Sequence, residues 1–368
     1  MTTSRPTLAS WYARPAARAW TGAPAPDAAR AFHASLPGYS PTPLTELPPL
    51  AAELGVGRVF VKDESARLGL PAFKALGASW AVHRVLAERG EGAPPVRLVT
   101  ATDGNHGRAV ARMARLFGQR ARVFVPDGVH PDAVAAIVAE GAEVTAVAGS
   151  YDAAVEVAAR AADAPDAVLV QDSSWDGYEE IPRWIVAGYA TLFAEVDEQL
   201  AALGAPLPDL VTVPVGVGSL AQAAVTHYRS RGAAGPAPAL LAVEPEAAAC
   251  VLASLHRGER VSVTTGTTAM AGLNCGTPSA LAWPVLHAGL DAAVAITDAA
   301  SAAAARTLAG LGVSSGPCGA ATLAGARAAL TGDDAADRRT ALAVGPAATV
   351  VLLSTEGAAA NPQGTASS

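Results

Sequence analysis

Short apolar runs alternate with helical stretches along most of this 368-residue chain, and that alternation limits its fold more than any other feature. Arg58-Val59-Phe60-Val61-Lys62 reads as a strand, and Ala78, Ala81, Val82, Val85 and Leu86 then share one helical face. Leu98 to Thr100, Arg122 to Val125, Glu143 to Val147 and Val168 to Val170 read as further strands. Gly118 and Gly141 stop the intervening helices, Pro131 starts one and Ser150 caps another. A long helix from Ile181 to Leu203 leads into a second series. That series has strand Leu210 to Val215, a glycine loop, a helix, and strands Leu240 to Val243 and Ala293 to Ile296. A helix capped at Thr297 or Asp298 follows, then a last strand, Val350 to Leu353. Strands separated by helices of about ten to fifteen residues make a parallel sheet covered on both faces. Two such series predict an α/β protein of two lobes, with its site in the crevice between them.

The ends of the chain are less regular. Residues 1–45, rich in Pro, Ala and Arg, are expected to wrap the surface, and the small polar tail from Ala358 is expected to fray. The net charge of −7, without a basic stripe, argues against nucleic acid or an anionic membrane as partner. Apolar runs such as Ala341 to Leu353 are too short to span a bilayer, and this one contains Gly345 and Pro346. Arg5, Arg14 and Arg18 flank no continuous apolar stretch, so no secretory signal is expected. Cys250, Cys275 and Cys318 form no even framework, and the histidines show no metal-type spacing. No metal is expected, and a reducing cytoplasm fits best.

Only two of the 26 cationic side chains are lysine, Lys62 and Lys74. Arginine serves wherever a fixed positive charge suffices, but its guanidinium does not act as an amine nucleophile. A retained lysine is therefore a candidate for amine chemistry, the alternative being two accidental survivors. Lys74 stands in Ala72-Phe73-Lys74-Ala75-Leu76-Gly77-Ala78, immediately before a helical pattern.

Two loops follow strands and open helices. Gly216-Val217-Gly218-Ser219-Leu220 offers backbone N–H groups and a helix N-terminus to a phosphate, although tight turns without ligands look the same. Ala221 replaces the third glycine of a dinucleotide fingerprint, and no G-K-[ST] follows to make a P-loop. Thr102-Asp103-Gly104-Asn105-His106-Gly107 lies at the carboxyl end of a strand, where α/β sheets bind ligands. Its plainer reading is a polar turn capped by Asn105 or Asp103.

In this order, the Lys74 segment, the G-N-H-G loop and the glycine loop resemble the fold-type II pyridoxal-phosphate enzymes, the tryptophan synthase β superfamily. Pro43-Leu44 and Val61-Lys62-Asp63-Glu64 look like that family's opening, and the resemblance runs from about Thr42 to Gly357. It departs at Ala72, commonly Ser, and at Leu76, commonly Arg in the dehydratases. Six segments look like the narrower diaminopropionate ammonia-lyase family. They are Lys62-Asp63-Glu64-Ser65, Ala72-Phe73-Lys74, Thr102 to Arg108, Gln171-Asp172 with Trp175 and Gly177-Tyr178, Ala271 to Gly276, and Thr355-Glu356-Gly357.

The resemblance implies two open, twisted, mostly parallel α/β domains: residues 1–84 with 176–368 as the large cofactor-binding one, and 85–175 as the small one. It implies pyridoxal 5'-phosphate on Lys74 beside Phe73, with its phosphate on Gly216, Val217, Gly218, Ser219 and Leu220. Asn105 would meet the ring hydroxyl, and Ser354, or next Thr355, the ring nitrogen. Asp103 and Asp172 would serve as acid–base groups toward either enantiomer of a small amino-acid substrate, 2,3-diaminopropionate, which is eliminated to pyruvate and ammonia by a homodimer. Helix capping is the competing role for Asp103, and a turn contact for Asp172. Other readings of the same scaffold are elimination or replacement on serine, threonine or a cysteine derivative, or cofactor binding without turnover; a dinucleotide oxidoreductase is the remaining one. Lys62 and Glu64 are expected to brace the Lys74 loop and His106 to hydrogen-bond within its loop. Cys275 is expected to be an inert thiol, Trp175 and Tyr178 core or interface residues, and Ser315 to Gly319 a loop before a helix.

Overall fold

The computed structural model describes residues 10–24, 27–230 and 237–360, so most of the expected frayed tail lies outside the described residues. In chain order its first elements are β1 (Trp11–Ala13), α1 (Ala28–Ser35), β2 (Leu44–Glu46), α2 (Pro48–Leu54), β3 (Arg58–Asp63) and α3 (Lys74–Arg89). β4 (Arg97–Ala101), α4 (Asn105–Leu116), β5 (Arg120–Pro126), α5 (Pro131–Ala139), β6 (Glu143–Val147), α6 (Tyr151–Ala161) and β7 (Ala167–Leu169) follow. The long α7 (Glu180–Ala202) leads to β8 (Leu210–Pro214), α8 (Ser219–Tyr228), β9 (Ala239–Pro245), α9 (Cys250–Arg257) and α10 (Trp283–Gly289). The chain closes with β10 (Ala292–Ile296), α11 (Asp298–Gly310), α12 (Pro317–Leu330), α13 (Ala335–Leu342) and β11 (Thr349–Ser354).

Two sheets result, a seven-stranded one ordered β1-β10-β9-β8-β11-β3-β2 and a four-stranded one ordered β6-β5-β4-β7. The small sheet is parallel throughout, and the large one is parallel except at its edges, where β1 pairs with β10 and β2 with β3 in antiparallel sense. Those edge strands correct the expectation that residues 1–45 only wrap the surface. Each has three residues and pairs on one side, which leaves no period-2 pattern to read. α1 also buries His33 completely, with Nδ1 on Thr191 Oγ1 at 2.8 Å and Nε2 on Leu76 O at 3.0 Å.

The continuous apolar strands follow from burial on both faces. Along β11, Val351 and Leu353 enter one core while Val350 and Leu352 enter the other. The first core also holds Val82 of α3, Leu192 of α7 and Val123 of β5, so it runs unbroken from one sheet to the other. Val99, Phe124, Ala154 and Ala158 fill the far side of the small sheet.

α3 is held by its crossing with α7, where the two backbones nearly touch. A Cβ on Gly188 would lie 2.6 Å from Leu76 O, and one on Gly77 2.6 Å from Tyr189 Cε1. Below this crossing lies a buried ionic cluster. Lys62 Nζ donates to Glu195 at 2.6 Å and to Thr42 O and Gln199 at 2.8 Å. Arg67 forks onto Glu64 at 2.6 and 2.8 Å and reaches Glu195 at 2.7 Å. The cluster ties β3, the loop before α3 and α7 into one frame. Removing one partner from such a buried set costs about 3–5 kcal/mol.

Candidate active site

Side chains at the carboxyl ends of strands from both sheets converge on one cavity of about 340 Å³. The large sheet sends Gly216 to Leu220 from the end of β8, Thr355 and Glu356 from β11, and Phe73 and Lys74 beyond β3. The small sheet sends Thr102 to His106 from β4, Asp127 to His130 from β5, Tyr151 from β6 and Asp172 from β7.

Lys74 opens α3, and Phe73 N donates to Thr355 O at 3.0 Å, which anchors that helix start to β11. Lys74 Nζ crosses the cavity to donate to Asp172 Oδ2, and it lies 5.3 Å from the centre of the Phe73 ring. Burial pulls the ammonium down, but the charge of Asp172 outweighs it and holds Lys74 above the ordinary lysine range. Burial likewise pushes Asp172 up, yet the charge and hydrogen bond of the Lys74 ammonium overcome it and hold the carboxyl down to about 2. Asp103 behaves in the opposite way. Burial and the Asp172 charge push it up to about 7, against the pull of Lys74.

Neither Asp103 nor Asn105 caps α4. Thr102 Oγ1 does that work, accepting from Gly104 N at 3.0 Å and Gly107 N at 3.1 Å, and so Asp103 is left on the cavity wall. Asn105 Nδ2 donates to Glu356 Oε2 at 2.6 Å, a bond between the small-sheet loop and the last strand of the large sheet. Cys318 N holds the other Glu356 oxygen at 3.1 Å.

The glycine loop fits a phosphate. The N–H groups of Ser219, Leu220 and Ala221 begin α8 and have no carbonyl one turn back to meet. Gly218 has a φ of 98°, and a Cβ there would lie 2.7 Å from Leu286 Cδ1. The cradle is therefore open only to glycine. Ser219 Oγ donates to the backbone carbonyl of Asp172 at 2.8 Å, which links the cradle to the chain that carries that carboxylate. A primary amine, a cradle of backbone donors and a cavity of this size together accommodate a phosphorylated aldehyde.

Of the residues singled out from sequence, Lys74, Phe73, Asp103, Asp172, Asn105, Gly216, Val217, Gly218, Ser219, Leu220 and Thr355 all line the cavity. Ser354 does not: it is fully buried, and its hydroxyl bonds Ser315 Oγ at 2.8 Å. Cys275 lines the wall, and burial pushes its thiol above the usual range, as expected of an inert group. Trp175 and Tyr178 stack with centroids 4.5 Å apart, and the Tyr178 hydroxyl accepts from Gln171 N at 2.8 Å. Sequence reading missed Tyr151, Asp127, His130, Thr267 and Thr268 on the wall. The first three lie within four residues of a strand end, which was their available signal; the two threonines lie in a connection without regular structure.

Such a cavity, shared by two mostly parallel sheets with a lysine at a helix start, defines an α/β enzyme that anchors a phosphorylated carbonyl cofactor. The chain belongs to the pyridoxal-phosphate dependent enzyme family, which matches residues 36–355, and its cofactor is pyridoxal 5'-phosphate. Its fold is that of the fold-type II members. Diaminopropionate ammonia-lyase of Salmonella typhimurium is 39% identical over 293 residues, 74% of this chain and 72% of that protein. The crystal structure of Escherichia coli diaminopropionate ammonia lyase with an aminoacrylate–PLP azomethine reaction intermediate matches with a TM-score of 0.83 and 34% identity, covering 91% of this chain and 89% of that one. The same enzyme in complex with D-serine matches with a TM-score of 0.84 and 33% identity, over 91% of this chain and 89% of that one.

Proposed function

We infer that this chain is a pyridoxal-phosphate-dependent ammonia-lyase that eliminates 2,3-diaminopropionate to pyruvate and ammonia. One observation carries the reading: Lys74 shares its cavity with two carboxyl groups of opposite character, Asp172 held down to about 2 and Asp103 raised to about 7. Similarity to diaminopropionate ammonia-lyases at 38–39% identity supports the substrate.

Pyridoxal phosphate, when bound, supplies the electron sink that makes loss of an α-proton feasible. The residues of the chain do the rest. Lys74 would supply the attaching amine, Gly216 to Leu220 would hold the phosphate, and Asn105 would meet the ring hydroxyl. A hydroxyl near β11 would meet the ring nitrogen, and the cavity wall favours Thr355 over Ser354 for that place. A β-ammonium on the substrate pairs with the Asp103 carboxylate. Asp172 takes the α-proton of one enantiomer and Asp103 that of the other.

The domain division at residues 84/85 and 175/176 is supported by the four-stranded sheet, whose strands all lie between Arg97 and Leu169. A homodimer is supported by the family resemblance, and a cytoplasmic location by the three free thiols. No helix among the described residues is long and apolar enough to cross a membrane. The deciding experiment records the absorbance of the purified protein before and after D- and L-2,3-diaminopropionate, with pyruvate release measured alongside. Serine and threonine serve as comparison substrates. Faster turnover of either hydroxy amino acid would overturn the assignment.

A further inference from the structure

His106 is built differently from His33, the other buried histidine. His33 satisfies both ring nitrogens, on Thr191 Oγ1 and on Leu76 O. His106, equally enclosed at 4% exposure, satisfies one: Nε2 sits 2.8 Å from Val170 O. A carbonyl only accepts, so Nε2 carries the hydrogen and the neutral ring presents a lone pair at Nδ1. That Nδ1 is buried without a hydrogen-bond partner and lies 3.9 Å from Asp172 Oδ2. Two acceptors face each other across this gap, an arrangement that suits a proton placed between them.

Here the ammonium of Lys74 supplies the missing charge, because it donates to the same Asp172 oxygen. Lys74 is also the amine that attaches the cofactor, so it is not a fixed partner of that oxygen. His106 is fixed by Val170 O, and its Nδ1 faces the same Asp172 oxygen at 3.9 Å.

We propose that His106 is the positioning partner of Asp172 and holds at Nδ1 the proton that Asp172 removes from the substrate. This rests on the acid–base reading of Asp172 given above. The substrate Cα–H bond breaks, its electron pair stays with carbon and drives out the β-nitrogen, and its proton goes to Asp172 Oδ2. It then passes to Nδ1, which leaves Asp172 a carboxylate again and His106 an imidazolium held by Val170 O. The proton returns through Asp172 to water as product leaves. A carboxylic acid left protonated beside the product would otherwise have to discharge before the next turnover.

The charged groups acting on the imidazole are Asp172, beyond β7, and Lys74, at the start of α3. His106→Gln tests the inference, because its amide keeps a donor for Val170 O but cannot take a proton. Asp172→Asn first identifies the enantiomer that depends on Asp172. His106→Gln is expected to shift the ratio of kcat for D- and L-2,3-diaminopropionate in the same direction, by about tenfold or more, with the visible cofactor band retained. An unchanged ratio, with Asp172→Asn selective, overturns the inference alone. An Asp172→Asn that spares both enantiomers overturns the acid–base reading and this inference together. A second measurement needs no turnover or cofactor. In cofactor-free Lys74→Ala labelled with 15N-histidine, the His106 ring should titrate at higher pH than in the cofactor-free wild type, because Asp172 has lost its ammonium. An unchanged midpoint would overturn the coupling.

Discussion

Lys74 and Asp103 behave as they do because of their neighbours, and each carries a test. Lys74 is the amine in the cavity, so Lys74→Ala should remove both the visible absorption of the bound cofactor and pyruvate release, while the circular dichroism of the fold persists. Asp103 is pushed up to about 7 by burial and by Asp172. As a raised acid, it favours the protonated form in the fold. The stability tied to that form is complete below the usual carboxylate range and declines as pH rises through about 7. Its use as a base has the opposite sign, since the carboxylate appears above that pH. For the enantiomer that depends on Asp103, kcat/KM should climb through neutrality and then level off. Asp103→Asn should abolish that limb; a rate that falls across the same range would refute the role.

At the scale of elements, the site depends on how closely α3 can lie on α7. Gly77 and Gly188 allow the contact, and the buried cluster of Lys62, Glu64, Arg67 and Glu195 fixes the loop that delivers Lys74. Gly188→Ala should push α3 outward, because its methyl meets the Leu76 carbonyl, which is backbone and cannot rotate away. Overpacking of this kind costs about 1–3 kcal/mol. Urea unfolding should show that loss, and cofactor affinity should fall with it. The expectation that Lys62 and Glu64 brace the Lys74 loop was a matter of motif; Arg67 and Glu195, which complete the charge balance, lie far apart in sequence and gave no sign of meeting.

For the whole molecule, Lys74 to Asp172 and Asn105 to Glu356 join side chains from elements of different sheets across the cavity. A ligand that touches both sides stabilises the fold by mass action, by about 2.7 kcal/mol at a hundred times its Kd. Pyridoxal phosphate should therefore raise the melting temperature of the cofactor-free protein. Glu356→Gln should reduce that increase, since Gln can turn a donor toward the Asn105 amide and reverse the orientation that a carboxylate imposes. An identical increase in the variant would show that Asn105 is held by something else.

Local chemistry was enough to read the alternating strands and helices, the capping by Ser150, the glycine loop and the rare amine of Lys74, because each is written within a few neighbouring residues. The short edge strands were not legible, since three residues paired on one side carry no periodicity of their own. Capping of α4 by Asp103 or Asn105, the plainer alternative, is not what the fold uses, because Thr102, Asp103 and Asn105 all have suitable side chains and only the turn geometry selects Thr102. The residue chemistry of the site was thus present in the order of the chain. Which carboxyl is held ionised, which is raised toward neutrality and which histidine nitrogen stays unpaired were decided by the tertiary structure alone, because burial and charge act through distances that only the folded chain creates.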